Sequence, residues 1–173
     1  SRMTPTLLCI PNVSEGRRIT AVENLAAAIQ SVEGVKLLDT HMDPDHNRSV
    51  ITFAGPRAAV AAAALALVAA SIREIDLRTH TGVHPRIGAV DVLPFVPLGE
   101  VPMEACVALA HEVGREIAAR HAIPVYFYGR AALRAPHGVR AQAGREQRRP
   151  PPARRRRPTR TPDSSSHPSD PPN

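Results

Sequence analysis

The chain changes character sharply near residue 135, and this change limits how much of it can fold. Residues 136–173 hold nine arginines, three acids and nine of the eighteen prolines, and Val139 is their only aliphatic side chain larger than alanine apart from the proline rings. Such a segment cannot bury enough apolar surface to offset its loss of chain entropy, so we predict a disordered tail. Residues 1–135 carry equal numbers of acidic and basic side chains, so the tail holds the whole net charge of +6.

The first 135 residues alternate short apolar runs with helical patterns. "TLLCI", "VKLLDTH", "RSVITFAG", "GAVDVLPFVPL" and "IPVYFYG" have strand composition, and the polar "MDPDHN" predicts a hairpin between the second and third. Apolar residues recur at helical spacing from Ile19 to Val32, with Gly34 as a stop signal. Two further helical patterns are opened by Pro56 and Pro102, as proline permits in a first turn.

The predicted order is therefore βαββαβ followed by αβ. It predicts an α+β fold for residues 1–135: a ferredoxin-like βαββαβ with an added αβ unit. We expect an antiparallel or mixed sheet with the helices on one face.

The segment "RTHTGVHPRIGAVD" before the fourth strand is the first candidate site. His80 and His84 have the spacing of an H-E-x-x-H zinc motif, but Gly82 and Pro85 argue against the helix that such a motif needs. Two solvated loop histidines are the simplest interpretation. A general base is the third, since the ordinary pKa of histidine is about 6.5, and Arg86 could bind a carboxylate.

The hairpin segment "DTHMDPDHNRS" is the second candidate. His41, Asp43, Asp45 and His46 are types that bind hard metals, but Asp-Pro and His-Asn are also ordinary turn chemistry. A plain turn, a metal site and ligand contacts all fit. Arg48, at the start of a strand, either holds an anionic substrate or forms a surface salt bridge.

The loop "CIPNVSEGRR" between the first strand and first helix is the third candidate. Its backbone amides at a helix N-terminus favour anions, although Ser14 could be only an N-cap. The segment is not a P-loop, because the G-K-[ST] element is missing.

The run "RRPPPARRRRP" in the tail could bind a polyanion. No aromatic residue is interleaved for base stacking, so we interpret it as a compositional feature of a disordered end and expect no nucleic-acid partner.

Compartment is indicated by three features. Cys9 and Cys106 are too few for a disulfide framework and lie in apolar contexts, as reduced thiols do in the cytoplasm. "SRMTPTLLCIPN" has no apolar h-region, and the alanine-rich run 58–70 is too short to span a bilayer. We therefore expect a cytoplasmic protein without a membrane partner.

Taken together, four segments resemble the N-terminal subdomain of the glutamate formimidoyltransferase (formiminotransferase) family. They are "CIPNVSEGR", "LLDTHMDPDHNRSVITFAG", "IDLRTHTGVHPRIGAVDVLPFVPL" and "IPVYFYGRAA", in one collinear order over residues 6–134. Four long motifs in register are more specific than any single histidine pair.

The resemblance implies transfer of a formimino group from N-formimino-L-glutamate to N5 of tetrahydrofolate, the co-substrate, in histidine breakdown and one-carbon metabolism. It implies that His84, in the "HPR" motif, is the catalytic base; we expect no metal-binding residues. The acid that the animal enzymes carry in the second segment falls at His41, so that acid's role is not transferred. The expected substrate-binding residues are Asn12, His41, Asp43, Asn47, Arg48, His80 and Arg86.

The family places a second αβ subdomain after this one, with folate in the groove between the two. Here the arginine- and proline-rich string follows instead, as a GC-rich gene would produce when translated out of frame, so we expect 136–173 to be a frameshifted end. The chain alone would then be weak or inactive, and a homodimer or a separate C-terminal subdomain could complete it. The alternative is a non-catalytic module that binds folate or another small anion, or a subunit that needs a partner chain.

Overall fold

The computed structural model describes residues 4–74 and 90–134, which lie in one compact unit. The strands are β1 (Thr6–Cys9), β2 (Asn12–Val13), β3 (Lys36–Asp43), β4 (Arg48–Pro56), β5 (Val90–Pro97), β6 (Tyr126–Tyr128) and β7 (Ala132–Arg134). The helices are α1 (Ile19–Gln30), α2 (Arg57–Glu74) and α3 (Met103–His121). The predicted tail, residues 136–173, falls outside the described residues.

The strands form one antiparallel sheet. β1 and β2 both lie between β4 and β5, β3 pairs with the outer edge of β4, and β7 and then β6 follow β5. β1 and β2 keep one register against β4, since Cys9 is opposite Phe53 and Asn12 opposite Val50. They therefore act as a single interrupted strand. The predicted α+β class with an antiparallel sheet is confirmed, and the strand order is consistent with a split-βαβ arrangement.

All three helices cover the same face of the sheet. The alanine-rich α2 contacts both α1 and α3 as well as β1 and β4, because its small buried side chains allow close approach. Alternate residues of β4, such as Ile51 and Phe53, point into this core, where they meet Leu25 of α1 and Leu67 of α2. Burying each such large side chain contributes about 1.5–3 kcal/mol, so this layer supplies the main stabilisation.

Element boundaries differ from the prediction at both prolines. Pro56 is the last residue of β4, and α2 begins at Arg57. Pro102 is the N-cap of α3, with an extended backbone at φ −73° and ψ 151°. The helix therefore begins at Met103, one residue later than predicted. The helix start signal was correct in each case, because the fixed φ of proline suits the residue before a first turn as well as the first turn itself. Gly34 turns the chain after α1 at φ 89°, as predicted.

The last described residues form a hairpin and not the single strand predicted from "IPVYFYG". β6 covers only Tyr126–Tyr128, and Gly129 at φ 60° begins the turn into β7. The prediction missed β7 because Ala132–Arg134 is short and alanine has low strand propensity. Pairing with both β5 and β6 makes this segment a strand.

Candidate functional site

The loop after β2 packs tightly onto the turn between β3 and β4. The N–H of Gly16 donates to Oδ1 of Asn47 at 2.9 Å, and a Cβ on Gly16 would lie 2.4 Å from the carbonyl oxygen of Asp43 and 2.5 Å from the backbone N and O of Arg48. Asn47 adopts a left-handed backbone with φ 50°, which asparagine tolerates better than most residues. The predicted second and third candidate segments therefore form one continuous corner of the molecule.

Glu15 is buried at the centre of this corner. Its carboxylate accepts hydrogen bonds from the backbone N–H and from Nε of Arg18, and its carbonyl oxygen accepts one from the buried hydroxyl of Ser49. A carboxylate at the start of α1 is favoured by the helix dipole. Sequence analysis gave no role to Glu15, although an acid just before a helix is a recognisable signal.

These contacts bear on the two interpretations of residues 14–16, the "SEG" loop: an anion site at its backbone amides and an N-cap at Ser14. Arg18 is the N-cap of α1, and the Ser14 hydroxyl instead donates to Oδ2 of Asp91 at 2.6 Å. The backbone N–H groups of Gly16 and Arg18 are not available to an external anion, because they already donate to the side-chain oxygens of Asn47 and Glu15.

The β3–β4 turn is organised around Asp43. Oδ1 accepts the backbone N–H groups of Asp45 and His46, and Oδ2 lies 2.6 Å from Nδ1 of His46. The hydrogen bond from the His46 side chain, followed by that from its backbone, lowers the pKa of Asp43 below its ordinary value of 3.8. This geometry favours the plain-turn interpretation of "DPDHN", so any substrate contact of Asp43 would be additional to its role in the turn.

Asn12, His41 and Arg48 lie on the sheet face opposite the helices. His41 and Asn12 are both directly opposite Val50, one on each side, and residues paired in this way share a face. Arg48, two positions before Val50 on β4, is on the same face. Neighbouring strands are about 4.8 Å apart, so the backbones of Asn12 and His41 are about 10 Å apart. The structure thus places three of the predicted site residues on one face of the sheet, and Asp43 and Asn47 lie at the adjoining β3–β4 turn.

His80, His84 and Arg86 lie outside the described residues, but both neighbouring ends are placed. At one end, Nη2 of Arg18 donates to the carbonyl oxygen of Glu74 at 3.1 Å. At the other, Val90 is opposite Val13. Glu74 and Val90, the described residues on either side of positions 75–89, therefore both lie beside the "SEG" loop.

The same sheet face carries residues that sequence analysis did not select. On the far side of Asn12, Val92 is paired with Arg134, and Arg134 with Tyr126. The guanidinium carbon of Arg134 lies 5.2 Å from the centre of the Tyr128 ring, which is within cation–π range. Recognition of β7 as a strand would have placed Arg134 on this face by alternation.

A cavity of about 850 Å³ lies at the other end of the sheet. It is lined mainly by apolar groups, including Leu7, Leu98, Val101 and Pro102, and contains none of the predicted site residues. In residues 4–74 and 90–134, no group of three or more His, Cys, Asp or Glu side chains could hold a metal ion. No helix in those two ranges has the length and apolar character needed to cross a membrane.

Comparison with known proteins gives a consistent result. Residues 6–171 match the family described as formiminotransferase domain, N-terminal subdomain. The chain is 49% identical over 126 residues to the glutamate formimidoyltransferase of Thermoplasma acidophilum, covering 73% of this chain and 42% of that protein. It is 39% identical over 132 residues to that of Streptococcus pyogenes serotype M1, covering 76% and 44%.

A longer relative matches at about the same identity as the Streptococcus pyogenes protein. The formimidoyltransferase-cyclodeaminase of Rattus norvegicus is 40% identical over 130 residues, covering 75% of this chain and 24% of that protein. The chain thus spans less than half the length of each of these relatives.

Proposed function

The chain belongs to the formiminotransferase family, matching its N-terminal subdomain, and from this we propose that it supplies part of a site that transfers the formimino group of N-formimino-L-glutamate to N5 of tetrahydrofolate. The reaction gives glutamate and 5-formimino-tetrahydrofolate, a step in histidine breakdown and one-carbon metabolism that we assign to the cytoplasm. Tetrahydrofolate is the co-substrate.

The main support is where the histidine-containing segment is attached. Glu74 contacts Arg18, and Val90 is paired with Val13, so the two described residues that flank this segment both lie next to the "SEG" loop. The proposed role of His84 requires its side chain to come close to Asn12 and Arg48, and the positions of Glu74 and Val90 are consistent with that requirement.

We assign the proton transfers to His84. N5 attacks the formimino carbon and must lose a proton as the new C–N bond forms. The bond to the glutamate nitrogen then breaks, and that nitrogen must gain a proton. One imidazole can accept the first proton and donate the second, which is typically worth about 10²–10⁴-fold in rate. Correct positioning of the two substrates would supply much of the remaining acceleration.

The other predicted residues would bind the substrates. Arg48 and Arg86 suit substrate carboxylates, because a guanidinium can donate two parallel hydrogen bonds to one carboxylate. Asn12 and His41 offer neutral polar groups on the sheet face, and His80 would stand near the base.

Two of the expected contacts are restricted by the fold. Asn47 has its amide NH₂ and one acceptor position on its oxygen available, because that oxygen already accepts one hydrogen bond from Gly16. Asp43 would bind a substrate only through carboxylate lone pairs that do not already accept hydrogen bonds within the turn.

The coverage of the relatives favours a second candidate. The chain covers 42% and 44% of the two microbial transferases, so a separate C-terminal subdomain, or a second copy of the chain, would complete the site. If neither does so, the same residues would act as a folate- or anion-binding module without turnover.

The test compares the full chain with its His84→Ala variant, using His121→Ala on α3 as a histidine control. Release of glutamate and binding of tetrahydrofolate are measured for each chain alone and after addition of the C-terminal remainder of the Thermoplasma acidophilum relative. We expect His84→Ala to lose at least about 100-fold in turnover while tetrahydrofolate affinity changes less than about twofold. Undiminished turnover in His84→Ala would refute the assignment, and binding without turnover in every mixture would establish the module.

A further inference from the structure

A line of residues crosses the sheet face opposite the helices, with one residue from each of five strands. In spatial order it runs through His41, Val50, Asn12, Val92 and Arg134, each directly opposite the next. Polar and apolar side chains alternate along it. A spacing of about 4.8 Å per strand puts the backbones of Asn12 and Arg134 about 10 Å apart.

Arg134 ends this line beside two tyrosines. Tyr126 is directly opposite Arg134, and Tyr128 is two positions along the same strand, so both rings share its face. Each tyrosine is 56% exposed, although large aromatic side chains usually bury most of their surface. The Arg134 guanidinium lies over the Tyr128 ring, which limits its directions of approach.

The guanidinium also has unused hydrogen-bonding capacity. Nε of Arg134 is buried and has no hydrogen-bond partner among the described residues. A buried donor without an acceptor is unfavourable, so the position of this group calls for a partner that the described residues do not supply. The acceptor with the best geometry for Nε and a neighbouring Nη is a carboxylate.

We propose that Arg134, with Tyr126 and Tyr128, forms a carboxylate-binding subsite that holds the glutamate end of tetrahydrofolate. This inference rests on the proposed function. The aminobenzoyl ring would lie across Val92, with the reacting pterin nearer Asn12 and the carboxylates at Arg134. The exposed tyrosine rings would pack against the linking group.

A second arginine on this face, Arg48, allows the two substrates to be bound by different cations. Both substrates end in glutamate carboxylates, so a single cation could not distinguish them. Arg48 and Arg134 lie on β4 and β7, three strand spacings or about 14 Å apart across the sheet. Arg48 is also two residues along β4 from Val50, so the two backbones are about 16 Å apart. Arg48 would then hold the formimino donor and Arg134 the folate acceptor, which keeps the two dicarboxylates from exchanging places.

The experiment measures binding, not turnover. Full-length wild type, Arg134→Gln and Arg130→Gln are titrated with tetrahydrofolate and with 6-methyltetrahydropterin, which lacks the aminobenzoyl-glutamate part. Arg130 is the matched control, because it is in the same hairpin, its side chain is 70% exposed, and its closest acid, Glu104, is 3.9 Å away. Circular dichroism confirms that each variant is folded.

We expect Arg134→Gln to weaken tetrahydrofolate binding by about 10- to 100-fold and to leave 6-methyltetrahydropterin binding unchanged. Arg130→Gln should change neither. Equal weakening of both ligands would indicate a packing role for Arg134 and overturn the inference, as would no effect on either. If wild type binds tetrahydrofolate without turnover, only the transferase proposal fails. If wild type binds neither ligand, both proposals fail.

Discussion

The backbone N–H of Gly16 and the side-chain oxygen of Asn47, 31 residues apart, are joined by a 2.9 Å hydrogen bond. This bond fastens the loop after the first strand to the turn of the β3–β4 hairpin. The loop then carries Arg18 to the carbonyl of Glu74, where the segment containing His84 begins. Two hydrogen bonds therefore connect the loop to the hairpin turn and to the last residue of α2.

Replacement of Gly16 by alanine should separate the loop from the hairpin. The added Cβ would meet backbone atoms of Asp43 and Arg48 that cannot rotate away, and overpacking of this kind costs about 1–3 kcal/mol of unfolding free energy. Urea denaturation measures the loss, and hydrogen exchange at position 16 reports the bond to Asn47.

Gly99→Ala is the control for this substitution. Gly99 has φ +58°, and a methyl group added to it would meet nothing within 4 Å, so the change carries only a backbone cost of about 1 kcal/mol. The amide at position 16 should stay protected in this variant. Full protection of that amide in Gly16→Ala would contradict the assigned packing.

Glu15→Ala should destabilise the protein more than an equivalent change at the surface. It removes the acceptor of both the backbone N–H and Nε of Arg18, with an expected loss of about 1–3 kcal/mol. Glu116→Ala removes a similar glutamate–arginine pair that is exposed on α3 and should cost only about 0.5 kcal/mol. Equal effects in thermal or urea unfolding would show that burial of Glu15 has no energetic importance.

The stability of the turn at Asp43 should fall at low pH. Its folded-state pKa is below 3.8, so the ionised carboxylate favours the folded turn above that pH, and this contribution is lost as the pH falls through the lower folded value. A ¹³C NMR titration of the carboxyl should show His46→Ala raising the pKa of Asp43 toward 3.8. His121→Ala should leave it unchanged. A wild-type value at or above 3.8 would refute the bonds to His46.

Much of the fold could be predicted because its signals are local. Helical periodicity located α1, and proline marked the starts of α2 and α3 to within one residue. The hairpin β6–β7 was missed because Ala132–Arg134 is a strand only through its pairing with β5 and β6. Such long-range pairing leaves little trace in a three-residue sequence.

The sequence predicted which residues belong to the candidate site better than it predicted their arrangement in space. Polar residues near the hairpin turn identified His41 and Arg48, and the family resemblance added Asn12; the three do share one face of the sheet. Glu15 and Arg134 were not selected, because burial of one and the strand pairing of the other depend on tertiary contacts.

Both thiols should be unreactive in the folded protein. Cys9 and Cys106 are fully buried, and burial raises the pKa of each thiol, so little thiolate exists near pH 8. Labelling with a disulfide reagent should be slow in buffer, while two thiols per chain should react at once in guanidinium. Rapid labelling of either cysteine in buffer would contradict the packing of the core.

The most direct test of the account is to map where tetrahydrofolate binds. A ¹⁵N–¹H NMR titration of the full chain, without oxygen, should shift the backbone resonances of Asn12, Val92 and Arg134 on the sheet face opposite the helices. Shifts confined to residues such as Leu98 and Ala105, in the cavity at the other end of the sheet, would contradict the proposed site.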